Sequence, residues 1–174
     1  SGKTFTQYFT INTPGGSITL QDSLIVSNSS AFTITLGTFN AATYNVTLSG
    51  AAGAISSSNT GIRTIAVGTG TWTIASSGSA WNVNTSTNLT VTGTGTISLT
   101  SASAKTFAGG SVSYSGITLN QGGAGALTIT GNNTFANITN TYSATGATTI
   151  SLGNSTQSVA NFTASGTAGN VLTI

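Results

Sequence analysis

Residues 81–139 read WNVNTSTNLTVTGTGTISLTSASAKTFAGGSVSYSGITLNQGGAGALTITGNNTFANIT. One unit recurs through this stretch: a short β seed, then a turn marked by Gly, Asn or Ser. The seeds are Trp81-Asn82-Val83, Leu89-Thr90-Val91, Ile97-Ser98-Leu99, Val112-Ser113-Tyr114, Ile117-Thr118-Leu119 and Leu127-Thr128-Ile129. Each sets two apolar residues around one polar residue, the period-two pattern of a strand with one buried and one wet face. Between them lie Thr92-Gly93-Thr94-Gly95, Ala108-Gly109-Gly110, Asn120-Gln121-Gly122-Gly123 and Gly131-Asn132-Asn133, residue types whose backbones accept turn conformations.

The pattern extends in both directions. Upstream, residues 5–11 predict a first strand, closed by Thr13-Pro14-Gly15-Gly16, which holds the only proline. Ser17-Ile18-Thr19-Leu20 and Leu24-Ile25-Val26 follow. Residues 31–36 alternate most cleanly, with Phe32, Ile34 and Leu36 on one face and Thr33 and Thr35 on the other. Residues 44–48 repeat that alternation. Residues 49–61 are rich in Ala, Ser and Gly and read as a long turn or weak strand anchored by Ile55. Strand patterns resume at residues 63–67 and 71–74, and beyond the central stretch at 137–139, 148–152, 158–159, 161–163 and 171–174.

Apolar centres at intervals of about eight to twelve residues predict an all-β fold, and no helical i, i+3, i+4 stripe competes with it. The most favoured architecture is a β-solenoid (β-helix); a β-sandwich or jelly roll is the alternative. Three features favour the solenoid. The units resemble one another throughout, the turn residues can stack as ladders between rungs, and the chain ends on Ile174 in mid-strand without a polar closing segment. Residues 1–174 therefore read as one repeat domain, with the expectation of a segment of a longer chain or a subunit of an assembly.

Composition narrows the function. Only 2% of the 174 residues are charged: Lys3, Arg63, Lys105 and the single acid Asp22. Ser and Thr fill roughly a third of the chain, so hydroxyls and amides must do the solvating work that charge does elsewhere. Three scattered cations cannot form a phosphate-binding patch, which argues against nucleic acid as a partner. No apolar run approaches the ~18 residues of a membrane span. The absence of Cys and Met, with so little charge, points to an extracellular, cell-surface or virion setting.

Catalysis needs groups this chain lacks. There is no His, no Cys and one carboxylate, so neither a paired-carboxylate site nor a nucleophile–His–acid arrangement can be assembled from it. The same inventory cannot build a zinc shell, and a calcium cage would rest almost wholly on carbonyls. No cofactor, metal or catalytic residue is expected. Asp22 reads as a solvated turn residue. Arg63 shares parity with Ile65 and Val67, and Lys105 with Phe107; the expectation is that a turn re-aims them or their stems snorkel to water. Trp72 and Trp81 match the parity of Ile74 and Val83 and are assigned to the core, leaving Tyr8 and Tyr142 as the exposed rings. Eight Asn-x-Ser/Thr sequons (Asn28, Asn45, Asn84, Asn88, Asn132, Asn137, Asn154 and Asn161) are close to what this composition produces by chance. The candidate surface-binding residues are the Thr-x-Thr pairs Thr33/Thr35, Thr71/Thr73, Thr90/Thr92 and Thr128/Thr130. Rows of outward threonines could order water against ice or contact glycan, although Thr is also simply a good polar strand former.

Residues 68–73 (GTGTWT), 103–110 (SAKTFAGG), 127–135 (LTITGNNTF) and 165–170 (SGTAGN), with Trp81-Asn82 and Thr87-Asn88-Leu89-Thr90, carry a resemblance. Together they resemble repeat regions of large surface and fibre-like, adhesin-like proteins from bacteriophages and environmental bacteria. The similarity spans about residues 60–174. It implies a right-handed β-helix with a structural or host-contact role and no chemistry. Phage tailspikes that cleave polysaccharide share that fold, but their acidic residues have no counterparts here. The combined expectation is a non-catalytic structural or adhesive protein of a fibre, filament or virion appendage. It would act by self-association or by stacking on neighbouring segments, with a cell-surface glycan as a further partner. An ice- or glycan-binding module is the alternative.

Overall fold

The computed structural model describes residues 2–27, 30–50, 54–142, 148–164 and 168–174. Among them no helix occurs. The strands are β1 (Lys3–Phe5), β2 (Phe9–Thr19), β3 (Leu24–Val26), β4 (Phe32–Asn40), β5 (Val46–Leu48) and β6 (Ile55–Ser56). Next come β7 (Arg63–Ala66), β8 (Thr71–Ile74), β9 (Gly78–Asn82), β10 (Leu89–Thr92), β11 (Thr96–Leu99) and β12 (Lys105–Ala108). The series closes with β13 (Ser113–Gln121), β14 (Leu127–Thr130), β15 (Thr134–Asn140), β16 (Thr148–Ser151), β17 (Ser158–Ala164) and β18 (Leu172–Thr173).

Every pairing is parallel and joins a strand to one a full turn away, so the chain is a β-solenoid of about seven turns. The chain returns to equivalent positions after 19 residues (Leu119 to Ile138) at the tightest and 27 (Gly78 to Lys105) at the widest. Parallel strands must be joined by crossovers, and here two further sides of the coil supply each crossover. The register divides the coil into three faces. The first stacks β1, β3, β5, β8 and β11, then the second halves of β13, β15 and β17. The second stacks the start of β4 on β6, β9, β12, β14, β16 and β18. The third stacks the ends of β2 and β4 on β7 and β10, and separately the starts of β13, β15 and β17.

Alternation puts one side chain in two into the lumen. Leu24, Val46, Trp72, Ile97, Leu119 and Ile138 form one buried column of the first face, and Phe32, Ile55, Trp81, Phe107 and Ile129 line the second. Rings touch continuously along the lumen, from Phe5–Phe9 (4.9 Å between centroids) through Phe32, Phe39, Trp72 and Trp81 to Phe107–Phe135 (5.5 Å). Offset and edge-on ring pairs add about 0.5–1.5 kcal/mol each beyond the area they bury. Trp72 Nε1 donates to the Val67 carbonyl at 2.9 Å, and Trp81 Nε1 to the Tyr114 hydroxyl at 3.2 Å, so neither ring leaves a polar atom orphaned.

Three local expectations are corrected. The strand expected at residues 5–11 divides into β1 and β2. Pro14 and Gly15 do not close β2; they form a corner within it, where the register with β4 shifts between Asn12 and Ser17. Leu36 leaves the alternation, because β4 bends there from the second face to the third. Gly37 makes that bend at φ +86°, and a Cβ at this position would run into the Thr13 carbonyl. Finally, the two patterns at 158–159 and 161–163 belong to one strand, β17.

Candidate functional site

The threonine pairs do not share one surface. Thr71 and Thr73 lie on the first face, Thr128 and Thr130 on the second, and Thr90 and Thr92 on the third. Thr33 and Thr35 sit on β4 just before its bend. Around Thr71 and Thr73, however, the register assembles a longer array than the Thr-x-Thr pattern revealed. Its two outward columns run Asn45, Thr71, Thr96, Thr118, Asn137, Asn161 and Thr47, Thr73, Ser98, Asn120, Thr139, Thr163. Mixed Asn, Ser and Thr obscured it in one dimension. Toward the C-terminal side these groups bind one another: Asn137 Nδ2 donates to Thr118 Oγ1 (2.9 Å), Asn161 Nδ2 to Asn137 Oδ1 (3.1 Å) and Thr139 Oγ1 to Asn120 Oδ1 (3.0 Å). That half is a ladder that ties rungs together.

Thr90 and Thr92 stand at a different kind of feature. On the third face β10 is laddered to β7, and the start of β13 to β15, but no pairing joins β10 to β13. The carbonyls of Asn88 and Thr92 accept from Arg63 and Val67 N–H groups of the preceding turn. Backbone direction alternates along a strand, so the N–H and C=O of Val91 face β13. By the same rule the Val112 carbonyl, which accepts from Thr134 N–H, turns the backbone of Ser113 toward β10. Two hollows of about 290 and 340 Å³ open along this seam and share Val91 and Ser113. Their rims carry the hydroxyls of Ser86, Thr90, Thr92, Ser111, Ser113 and Ser115, over a lining that includes Leu89, Val91, Val112 and Ile117.

The two interior cations correct the snorkelling expectation. Arg63 and Lys105 are each only 1% exposed. Arg63 bridges turns: Nη1 donates to the Gly61 and Thr87 carbonyls at 2.7 and 2.8 Å, Nη2 to the Ser57 and Thr85 carbonyls, and Nε to Ser57 Oγ at 2.8 Å. Lys105 Nζ donates to the carbonyls of Ser101 (3.0 Å) and Gly125 (2.6 Å), with a longer contact to Gly123. Gln121 Nε2 shares the Gly123 and Gly125 carbonyls. Desolvation pulls both cations' pKa values down, Lys105 to about 8. Their parity with inward residues was the sequence signal. Elsewhere, Asp22 is a half-buried turn residue whose Oδ1 accepts the Ser23 N–H at 2.8 Å. Tyr8 is 79% exposed, whereas Tyr142 is half-buried. Asn28 of the sequons lies outside the described residues. Among the described residues no three His, Cys, Asp or Glu side chains gather, and no helix is long and apolar enough to cross a membrane.

No protein-family model, curated protein or solved structure matches this chain.

Proposed function

We propose that this chain is a non-catalytic structural and adhesive segment of an extracellular fibre, filament or virion appendage. The observation that carries this reading is the pair of parallel ladders running the length of the coil around a chain of stacked rings, under an exterior of hydroxyls and amides. Such a body is stiff, and it presents side chains at fixed intervals of about 4.8 Å from rung to rung. A further rung, from the same chain or from another copy, adds in the same parallel geometry as every rung already present. Near-zero charge removes the repulsion that would otherwise keep copies apart. Electron microscopy with light scattering of the purified chain tests the reading. Rods or discrete oligomers are expected, and a dispersed monomer across the micromolar range would count against self-assembly.

A second reading, a module that binds ice or glycan, is favoured by the hydroxyl columns of the first face and by the seam of the third. Thermal hysteresis separates its two branches: activity above that of an inert protein would support ice, and its absence alongside a positive glycan array would support glycan.

A further inference from the structure

We propose that the seam between β10 and β13 binds a neutral oligosaccharide. The inference rests on the surface-attachment reading and assigns it a site and a ligand chemistry.

The ladder of the third face is interrupted between β10 and β13. Backbone N–H and C=O groups are obligatory hydrogen-bonding groups, and at this seam the backbone of Val91 and Ser113 faces a strand with which it is not paired. Those groups are left to solvent or to a ligand. The banks cannot part widely, because β11 stays laddered to β13 on the first face and β9 to β12 on the second. A polypeptide strand needs about 4.8 Å on each side of itself to pair with both banks. A sugar hydroxyl needs far less room, and it both donates and accepts, so it can substitute for a water bridging the two edges.

The rest of the seam suits the same ligand. Thr90 and Thr92 on one bank and Ser113 and Ser115 on the other are exposed, while Val91 and Ile117 are buried at its base. Hydroxyls at the rim with aliphatic surface beneath match the polar edges and C–H faces of a pyranose. No charged residue lines either hollow, so a carboxylated or sulfated sugar finds no counter-charge there, and a neutral one leaves no charge unpaired. The seam spans about four to five extended residues, roughly 13–17 Å, which makes it a site for a short chain and not for a single ring.

The experiment is an array of neutral and acidic oligosaccharides probed with the purified chain, followed by calorimetric titration of the best neutral ligand. Ser113→Trp fills the groove from an exposed position, and Gln7→Ala, exposed in the connection between β1 and β2 and outside both the seam and the hydroxyl columns, serves as a control. Circular dichroism verifies that both variants fold. The expected result is neutral-selective binding that is insensitive to salt, weakened about tenfold or more by Ser113→Trp and changed less than about twofold by Gln7→Ala. Equal binding by Ser113→Trp and the unaltered chain overturns the seam assignment while leaving surface attachment in place. Binding confined to acidic glycans overturns the ligand class. Absence of any bound oligosaccharide at millimolar concentration removes both the seam assignment and the glycan branch of the attachment reading.

Discussion

Arg63 carries a positive charge into a chain interior and meets no carboxylate there. Six hydrogen bonds to carbonyl and hydroxyl oxygens of residues 57, 61, 85 and 87 compensate it, and through them one side chain fastens the turns of successive coils. Removing the guanidinium orphans several buried carbonyls at once. Arg63→Ala should therefore destabilise by about 3–5 kcal/mol, and Arg63→Lys should recover little, since a point ammonium cannot reproduce the planar fork. The midpoint of chemical denaturation measures both. Lys105 adds a pH signature. Its folded-state value of about 8 lies below the ordinary 10.5. Between those values the unfolded chain holds a proton that the folded chain has shed, so stability rises with pH across that window. Tyr114 opposes it at the top, because burial raises its phenol above the ordinary 10 despite a hydrogen bond from Trp81. Above pH 10 the unfolded phenol ionises first and stability falls. Tm should thus climb from about pH 8 to 10 and then drop, and Lys105→Met should remove the climb. A Tm that declines steadily from pH 8 in the unaltered chain would contradict this account.

At the scale of the element, corners decide more than strands do. β2 and β4 each cross from the second face to the third without ceasing to be strands, and both do so at residues that look like stops: Pro14-Gly15 and Gly37. Gly37 is held by two separate demands, a left-handed backbone and close approach to Thr13. Gly37→Ala should cost at least about 2 kcal/mol, from the conformational penalty of 1–3 kcal/mol together with a displaced β2. Gly15 also has positive φ but open space around it, so Gly15→Ala should cost only the backbone penalty, about 1 kcal/mol. Comparable losses at the two positions, read from urea denaturation, would show that the contact with Thr13 is immaterial.

Across the whole molecule, the aromatic column joins rungs that share few residues in sequence. Trp81 touches Trp72, Phe107 and Tyr114, and its indole N–H is committed to the Tyr114 hydroxyl. Trp81→Ala should lower stability by about 3–5 kcal/mol through the cavity it leaves. Because the rings form one continuous path, the loss should reach rungs on both sides. Hydrogen exchange should speed up in β6 as well as in β12, the strands stacked on β9 in the neighbouring turns, whereas acceleration confined to β8 and β9 would mean that the rungs unfold independently.

By itself the sequence determined that this protein is all-β, that it repeats, and which apolar residues of most strands enter the lumen. A strand's two faces are written directly in a period of two, so Trp72, Trp81 and Ile97 could be assigned without coordinates. The lack of His and Cys and the single acid are likewise read from the sequence directly, since a missing residue type needs no geometry to be missed. Only the tertiary structure decided what lies beside what. The hydroxyl and amide columns of the first face unite residues 19 to 26 positions apart at unequal intervals, so no fixed period betrays them. The carbonyl cages of Arg63 and Lys105 use backbone oxygens, which have no sequence signature at all. The seam between β10 and β13 likewise depends on one ladder failing to close, a property of how two turns are spaced and of neither strand alone.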